Sequence, residues 1–480
     1  MELQLYTELI AIGIALFYTL AIFSAIEAII HVRTAQGAIA WAISLLAIPY
    51  LAVPCYLVFG RTKFDGYLEQ RKAIGEETVE LLRQTRQEVA RHEVPRSPAE
   101  PLYNALFNLT GIPAAGGNQV KLLIDGQQTF DSIVAGLESA RDYILLQSYI
   151  IRDDGLGRRV GRVLADKARS GIKVYLLYDE IGSYNFHRTG LYKQMKMTGV
   201  EVAAFNTTQG RRNRFQLNFR NHRKIIVVDG HSAWIGGHNV GDEYLGLDRH
   251  IGHWRDTHIR LQGPALLGVE LAFATDWRWA TRTALPVVRP DVQPGLYGDD
   301  NVLVFPSDPA STLEQAGLLF LQVIVAARQR IWIASPYFVP DRSITSALQL
   351  AALRGVDVRV MIPDQPDGPV VGMANWAFSR ELLPAGVKVY RYENGFLHQK
   401  VLLMDNHLAG VGTANFDNRS FRLNFEITVL VDGERFAKEV ATMLEGDLLH
   451  CRQVTQAEID AKPAWFPLGM GVARLFAPVL

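Results

Sequence analysis

The sequence predicts a duplicated α/β fold in which two similar halves follow a pair of membrane-spanning helices. A motif of the form His-x-Lys-x4-Asp occurs twice, at residues 222–229 and 398–405. Around each copy the same order of short apolar segments and longer helix-like segments recurs, as in an α/β domain. We therefore predict two α/β domains related by a pseudo-two-fold axis, preceded by a two-helix transmembrane hairpin.

The predicted hairpin consists of two apolar runs, residues 9–30 and 38–59. Each run has about 22 residues, or roughly 33 Å as a helix, which suffices to cross a bilayer. A cleaved signal peptide is an alternative for the first run, but residues 1–8 contain no Lys or Arg and a second run follows at once. A buried hairpin of a soluble protein is another alternative. Pro49 and Pro54 are expected to bend the second helix.

Basic residues near the two runs predict the orientation of the hairpin. The short connector carries Arg33, whereas Arg61, Lys63, Arg71 and Lys72 follow the second run. Loops rich in Lys and Arg stay in the cytoplasm. We therefore expect the amino terminus and the long carboxy-terminal part of the chain on the cytoplasmic side.

Composition shifts and prolines suggest the domain boundaries. The region after the second run mixes charges of both signs, the link between the halves is rich in Pro and Gly, and residues 463–480 are apolar apart from Arg474. That last segment either packs on the core or lies in the membrane interface. The predicted parts are a hairpin (1–60), a juxtamembrane helix and linker (61–118), a first domain (119–285), a linker (286–300), a second domain (301–455) and the apolar segment (456–480).

The repeat extends beyond the motif. Residues 143–149 align with 331–337 as strands, and 198–202 align with 385–389. Between them, a helix ends at a glycine and a strand begins in both halves, at Gly171 and Gly355. One motif per half predicts a single site between the halves, which one chain completes without a partner.

Within each motif the His and the Lys share one face of a strand, because side chains alternate along it. The Asp lies an odd number of positions from the His, so we expect it to support the strand rather than contact substrate. The predicted catalytic set is His222, Lys224, Asp229, His398, Lys400 and Asp405.

Each motif also has the same tail. Gly236 and Asn239 follow His222 at the spacing at which Gly412 and Asn415 follow His398. The glycine permits a close backbone approach that brings the amide back towards the His and Lys. Such a site suits a phosphodiester, since one imidazole attacks phosphorus and the other protonates the leaving alcohol. The predicted phosphate-binding residues are Lys224, Asn239, Lys400 and Asn415.

The paired motif resembles that of the phospholipase D superfamily, and the resemblance covers roughly residues 120 to 455. The superfamily includes phospholipases, phospholipid synthases and nucleases. The resemblance implies that a carboxylate after each motif orients the attacking or protonating imidazole. On this basis Asp256 is assigned to His222 and Glu426 to His398, with surface salt bridges as the alternative for both acids.

A loop before the first motif is longer than its counterpart before the second. It contains four arginines, which either bind an anionic lipid headgroup or form a solvated loop. These arginines are Arg211, Arg212, Arg214 and Arg220.

The apolar runs, the motifs and the stretches 335–340 and 423–427 together resemble bacterial cardiolipin synthases of the phospholipase D type. This resemblance implies phosphatidyl transfer between two phosphatidylglycerols, through a phosphohistidine, at the bacterial inner membrane. It also implies no metal and no organic cofactor, with membrane phospholipids as the partners. By analogy His222 is expected to attack and His398 to serve as acid and base.

Three other functions remain open at this stage: a related hydrolase or transferase with another acceptor, a membrane-tethered nuclease, and a non-catalytic membrane scaffold. The chain of 480 residues has 49 basic and 49 acidic residues, and a net charge of zero argues against a broad nucleic-acid surface. Its two cysteines, Cys55 and Cys451, do not suggest a disulfide framework. The oligomeric state and the acceptor alcohol are undetermined.

Overall fold

The computed structural model describes residues 2–32, 34–60, 76–95, 101–206, 218–285, 297–478 and 480. The chain divides into two compact units, one of residues 1–73 with 207–219 and the other of residues 74–206 with 220–480. The basic residues used to predict the orientation lie outside the described residues. These are Arg33, Arg61, Lys63, Arg71 and Lys72.

The first apolar run forms one helix, Glu2–His31, of which Gln4–His31 is long and apolar enough to cross a membrane. The second run is divided into the helices Ala35–Ala47 and Pro49–Cys55, followed by a π-helical turn, Tyr56–Gly60. Pro49 has no backbone N–H and restricts the residue before it, and Ile48 leaves the helical conformation with φ −137° and ψ 62°. The second apolar run was expected to form one bent helix, and the structure instead interrupts it at Ile48.

The helices of this first unit pack through small residues. Ala21, Ala25 and Ala28 are buried in a cluster that also contains Leu45 and Tyr56. Small side chains let helix backbones approach closely, as they do in membranes. Most other apolar side chains of the first helix face outward, which leaves an apolar outer surface.

The described strands of the second unit form one sheet of 16 strands with two additional two-stranded sheets. The first half contributes β1 Ala115–Ile124, β2 Tyr143–Ser148, β3 Lys173–Asp179, β4 Glu201–Phe205, β5 Arg220–Asn221, β6 Ile225–Val228, β7 Ser232–Gly236, β8 Trp254–Arg255 and β9 Thr257–Gln262. The second half contributes β10 Asp300–Ser307, β11 Arg330–Ala334, β12 Phe338–Val339, β13 Asp357–Pro363, β14 Lys388–Tyr392, β15 Phe396–Leu397, β16 Val401–Met404, β17 Leu408–Gly412, β18 Phe416–Asp417, β19 Asn424–Asp432 and β20 Cys451–Gln453.

Helices connect these strands in the order that the sequence predicted. The α-helices of this unit are Glu76–Ala90, Pro101–Thr110, Asp125–Ser139, Gly155–Arg169, Gly190–Met197, Leu266–Thr281, Gln315–Ala326, Arg342–Leu353, Pro369–Leu382, Asn418–Arg422, Glu434–Leu448, Gln456–Asp460 and Phe466–Leu475. Short 3-10 helices occupy Phe186–Arg188, Asp242–Leu245 and Leu383–Ala385.

The order of strands confirms the duplicated α/β fold. In the first half β2, β3 and β4 are parallel and β6, β7 and β9 extend the sheet antiparallel; β11, β13, β14, β16, β17 and β19 repeat this arrangement in the second half. The halves meet where β1 pairs antiparallel with β10. The order of the main sheet therefore reads nearly the same from either edge, as a pseudo-two-fold axis requires.

The repeat is confirmed at the helix ends and corrected in one strand. Gly171 and Gly355 both adopt the left-handed conformation, with φ of 89° and 90°, that ends a helix. In the strands, however, Ile144 pairs with Val228 and Ile331 with Met404. Since Val228 and Met404 lie at the same distance from their histidines, the expected alignment of 143–149 with 331–337 is wrong by one residue.

The boundaries of the sheet lie close to the expected domain limits. Strand β1 begins at Ala115 and β10 at Asp300. Of the expected juxtamembrane region, the structure shows the helix Glu76–Ala90, while residues 61–75 lie outside the described part of the chain. Most of the expected linker between the halves, residues 286–296, lies outside it as well.

The apolar segment near the end of the chain packs on the second half. Its helix, Phe466–Leu475, lies against Pro369–Leu382, and the rings of Phe466 and Trp376 make an edge contact at 6.0 Å. Its other face is exposed to solvent, with Leu468 72% and Leu475 79% exposed. Packing on the core is therefore observed, and an apolar face remains on the surface.

The two motif aspartates support the sheet. Asp405 accepts hydrogen bonds from the backbone N–H groups of Arg328, Gln329 and Arg330, at 2.7 to 3.1 Å. Asp229 makes the matching contacts to residues 141–143 in the other half. Both aspartates have a φ of 52°. Each therefore anchors the turn that leads into the strand beside its catalytic strand.

We predict that Asp405→Ala lowers the free energy of unfolding by about 2 kcal/mol or more, because three N–H groups lose a charged acceptor. Thermal unfolding in detergent micelles measures the effect. Asp405→Asn is the matched control, since Asn tolerates a positive φ and retains an acceptor oxygen. Equal stability of the Ala variant and the wild type would contradict the supporting role.

Candidate active site

Two short strands that cross between the halves position the histidines. Strand β5 pairs in parallel with the start of β19, and β15 pairs in parallel with β8. The His222 N–H donates to the Phe425 carbonyl at 3.0 Å, and the His398 N–H donates to the Arg255 carbonyl at 2.8 Å. Each histidine therefore lies beside a residue of the other half. His222 lies beside Glu426, which follows Phe425, and His398 lies beside Asp256, which follows Arg255.

Those residues are the two carboxylates, and they are exchanged relative to the sequence assignment. Glu426 contacts His222 Nδ1 at 3.0 and 3.1 Å, whereas Asp256 contacts His398 Nδ1 at 2.7 Å. The expectation that Asp256 orients His222 and Glu426 orients His398 is wrong. The physical reason is the parallel pairing across the halves, which brings together residues more than 140 positions apart in the chain.

Both imidazoles face one cavity of about 360 Å³. A carboxylate that accepts a hydrogen bond from Nδ1–H leaves the lone pair on Nε2. Aromatic rings surround the pair: Tyr149 contacts His222 edge-on at 5.1 Å, and Trp254 lies 4.9 Å from His398. The cavity therefore offers two oriented nitrogen atoms among aromatic side chains.

Burial makes the neutral form of both histidines the stable one. It lowers the pKa of His222 to about 4, and the charge of Lys224 opposes protonation further. Burial also lowers the pKa of His398 well below its ordinary value, with Lys400 and Lys224 adding to the effect. A bound phosphate anion acts in the opposite direction, because an opposite charge nearby favours the protonated form.

The two lysines are buried with lowered pKa values. Burial lowers the pKa of Lys400 to about 8, and it lowers the pKa of Lys224 well below its ordinary value. Lys224 Nζ donates to the His222 carbonyl at 2.7 Å, and Lys400 Nζ donates to the His398 carbonyl. Lys400 Nζ also lies 3.0 Å from His398 Nδ1. An ammonium group has three donors, so these contacts leave each lysine at least one further N–H group.

Asn239 and Asn415, the two asparagines expected to bind phosphate, lie in the cavity wall. Among the described residues that line the cavity, the two motif lysines are absent. Asn239 donates to the Tyr244 hydroxyl and accepts from the Ile150 N–H. The side-chain oxygen of Asn415 is buried and has no hydrogen-bond partner among the described residues. A polar group of a substrate would complete this amide.

Glu426 is held by several donors. Besides His222, it accepts hydrogen bonds from Thr413 Oγ1 at 2.6 Å, from Ser420 Oγ at 3.0 Å and from Asn424 Nδ2 at 3.0 Å. Burial alone would raise its pKa, but His222, Lys224 and Thr413 together lower it below the usual value. Glu426 is therefore a fixed anion beside His222.

Asp256 is held differently. It accepts from the Thr257 N–H at 2.8 Å and from Trp254 Nε1 at 3.4 Å. The residue that corresponds to Thr413 is Gly237, where a Cβ atom would lie 2.0 Å from Asp256 Oδ1. The backbone approaches this carboxylate so closely that only glycine fits there. The two carboxylates thus have similar positions and different surroundings.

Of the four arginines assigned to a headgroup, Arg211, Arg212 and Arg214 lie outside the described residues. Arg220 lines the cavity, and so does Arg419. Arg419 is not among the residues predicted from the sequence, although the two halves differ at this position: the fourth residue after the motif asparagine is Glu243 in the first half and Arg419 in the second. Other cavity residues that were not predicted are Tyr149, Tyr244, Trp254, Tyr337, Asp367 and Asp417.

Comparison with known proteins identifies the family of the chain. A family model described as "Cardiolipin synthase, PLD-like domain" matches residues 133–254 and 320–448, which contain parts of both halves. The fold is also similar to a crystal structure of phosphatidylserine synthase from Haemophilus influenzae, with a TM-score of 0.63, 14% identity, and coverage of 79% of this chain and 100% of that one.

Two curated relatives are similar over nearly the whole chain. Cardiolipin synthase A of Pseudomonas fluorescens is 45% identical over 472 residues, which are 97% of this chain and 98% of that protein. Cardiolipin synthase A of Pseudomonas entomophila is 46% identical over 473 residues, with the same coverage. With its duplicated fold and paired histidines, the chain belongs to the cardiolipin synthase family of proteins with phospholipase D-like domains.

Proposed function

We propose that the protein is a phosphatidyltransferase that joins two phosphatidylglycerol molecules into cardiolipin and releases glycerol. One observation carries the chemistry: two buried imidazoles face a single cavity, and a carboxylate from the opposite half binds Nδ1 of each. The names of the relatives support the choice of lipid. Transfer by two displacements needs one nucleophile and one acid–base group, which is what this pair provides.

In the first displacement, His222 Nε2 attacks the phosphorus of one phosphatidylglycerol. A nitrogen–phosphorus bond forms as the bond from phosphorus to the glycerol oxygen breaks, and His398 gives that oxygen a proton. The phosphate anion raises the pKa of both imidazoles, which allows His398 to carry this proton. Glu426 stabilises the positive charge that develops on His222.

In the second displacement, the terminal hydroxyl of another phosphatidylglycerol attacks the phosphohistidine. His398 takes the hydroxyl proton, the nitrogen–phosphorus bond breaks, and cardiolipin leaves. Water is the competing nucleophile. The lipid is favoured because the buried site limits the access of water and membrane attachment raises the local concentration of acceptor lipid.

We predict that the purified protein, given phosphatidylglycerol in mixed micelles, forms cardiolipin and an equal amount of glycerol. Mass spectrometry of the lipids and a glycerol assay measure both products. His222→Ala, His398→Ala, Lys224→Ala and Lys400→Ala are each expected to reduce turnover by several orders of magnitude. Phosphatidic acid as the main product would show a hydrolase instead, and salt-dependent retention of nucleic acid without lipid turnover would favour a nuclease.

The contacts of the two carboxylates lead to a separate prediction about the phosphohistidine intermediate. When a reaction with labelled phosphatidylglycerol is stopped rapidly without acid, we expect the label on His222. Asp256→Asn, which affects His398, is expected to let the adduct accumulate, because proton removal from the acceptor is slowed. Glu426→Gln, which affects His222, is expected to reduce adduct formation.

Peptide mass spectrometry locates the adduct and measures its amount in both variants. An adduct on His398 would reverse the roles of the two imidazoles. If the adduct on His222 accumulated in Glu426→Gln and not in Asp256→Asn, the proposed roles of the two carboxylates would be contradicted.

We also propose that the first unit is a hairpin that crosses the bacterial inner membrane twice and leaves the catalytic unit in the cytoplasm. The apolar helix Glu2–His31, its apolar outer surface and the basic residues after position 60 support this topology. The exposed apolar face of Phe466–Leu475 is a second contact with the bilayer in this proposal.

In a variant that lacks Cys55 and Cys451, we expect a cysteine at Gln36 to react with an impermeant thiol reagent added to intact cells. A cysteine at Gln453 should react only after the cells are opened. Both positions are exposed, so burial does not explain a missing reaction. The reverse labelling pattern would place the catalytic unit in the periplasm.

A further inference from the structure

Two arginines from opposite halves line the cavity that holds the histidines. Arg220 begins β5, two residues before His222, and Arg419 lies in the helix Asn418–Arg422. The backbone of Arg419 is fixed, because its N–H donates to the Leu480 carbonyl at 3.0 Å and its carbonyl accepts from Leu423 N–H at 2.8 Å. The arginine pair is therefore part of the folded wall.

Tyr149 connects the arginine pair with the reaction centre. The charges of Arg220 and Arg419 both act on its hydroxyl. The ring of Tyr149 lies edge-on to His222 at 5.1 Å, with Lys224 Nζ 5.4 Å from the ring centre. One aromatic side chain thus separates the arginines from the attacking imidazole.

The two guanidinium groups repel each other in this wall. Burial lowers the pKa of Arg419, and the charge of Arg220 lowers it further. Tyr149, Asp417 and Asp179 act in the opposite direction. A bound anion that contacts both guanidinium groups would stabilise their charged forms further.

The proposed reaction requires such a position. Two phosphates occupy the cavity when the second lipid arrives, since the donor phosphate is attached to the histidine and the acceptor retains its own phosphodiester. In the proposed reaction the donor phosphate lies between the two imidazoles, in the cavity whose wall contains Asn239 and Asn415. The acceptor phosphate is only three carbon atoms from the attacking hydroxyl, so it must lie in the same cavity and needs a second cationic site.

We infer that Arg220 and Arg419 form a binding site for the phosphate of the acceptor phospholipid, an inference that rests on the proposed function. The site gives the acceptor lipid an advantage that water and neutral alcohols lack, because binding the phosphate places the hydroxyl beside the phosphohistidine. The arginine pair therefore determines which alcohol receives the phosphatidyl group. It is a specificity site, and the bonds made and broken remain those of the second displacement.

Glycerol exchange separates this role from general damage to the site. In that reaction labelled glycerol attacks the phosphohistidine and regenerates phosphatidylglycerol, so only the donor lipid brings a phosphate. Cardiolipin formation from the same phosphatidylglycerol needs both phosphates. The ratio of cardiolipin formation to glycerol exchange, measured in one micelle preparation, reports acceptor recognition alone.

We expect Arg419→Gln and Arg220→Gln each to lower this ratio at least tenfold, which corresponds to about 1.4 kcal/mol of acceptor binding. Arg419→Lys should recover part of the ratio, because the charge remains while the two-pronged geometry is lost. Arg162→Gln, an exposed arginine of the helix Gly155–Arg169, is the matched control and should leave the ratio unchanged.

Each outcome decides the inference. A fall of both reactions by the same factor would overturn it and make the arginines donor or folding residues, and so would an unchanged ratio in both Gln variants. A variant that retains glycerol exchange is folded. If Arg419→Gln does not fold, Arg419→Lys is used for the same measurement. If the wild-type protein exchanges glycerol but forms no cardiolipin, the proposed function itself fails, which is a different result from an unchanged ratio.

Discussion

The parallel pairing of β5 with β19 and of β15 with β8 is the constraint on which the site depends. It places Glu426 of one half on His222 of the other, and Asp256 on His398. Neither half by itself contains a histidine with its carboxylate. A carboxylate buried without its partner is strongly unfavourable, so the two halves stabilise each other through the same contacts that orient the catalytic nitrogens.

Burial determines the protonation states of the site. It favours the neutral imidazoles and lowers the pKa values of both lysines, while the donors around Glu426 maintain its negative charge. A phosphodiester changes this balance as it binds, because its negative charge favours protonation of the groups around it. The site is therefore prepared for an anionic substrate, and the substrate contributes to the protonation that the proposed reaction needs.

Duplication of the fold did not preserve the chemistry of the two halves. Thr413 donates to Glu426, whereas the matching Gly237 leaves room for Asp256, and Arg419 replaces the acidic Glu243. Such differences are expected where a symmetric frame binds two unlike participants, a donor that loses its alcohol and an acceptor that retains its phosphate. The sheet is therefore nearly symmetric, whereas the side chains of the cavity wall differ between the halves.

The sequence by itself determined the repeated α/β order, the helix-ending glycines Gly171 and Gly355 and the paired motif residues, because each depends on neighbours along the chain. Tertiary structure decided the exchange of Asp256 and Glu426 between the histidines, the one-residue shift between β2 and β11, and the place of Arg419 in the cavity. These depend on strand pairing between residues far apart in the chain. Local periodicity contains no information about which distant strand is the partner, so the contacts between the halves had to be seen in the folded protein.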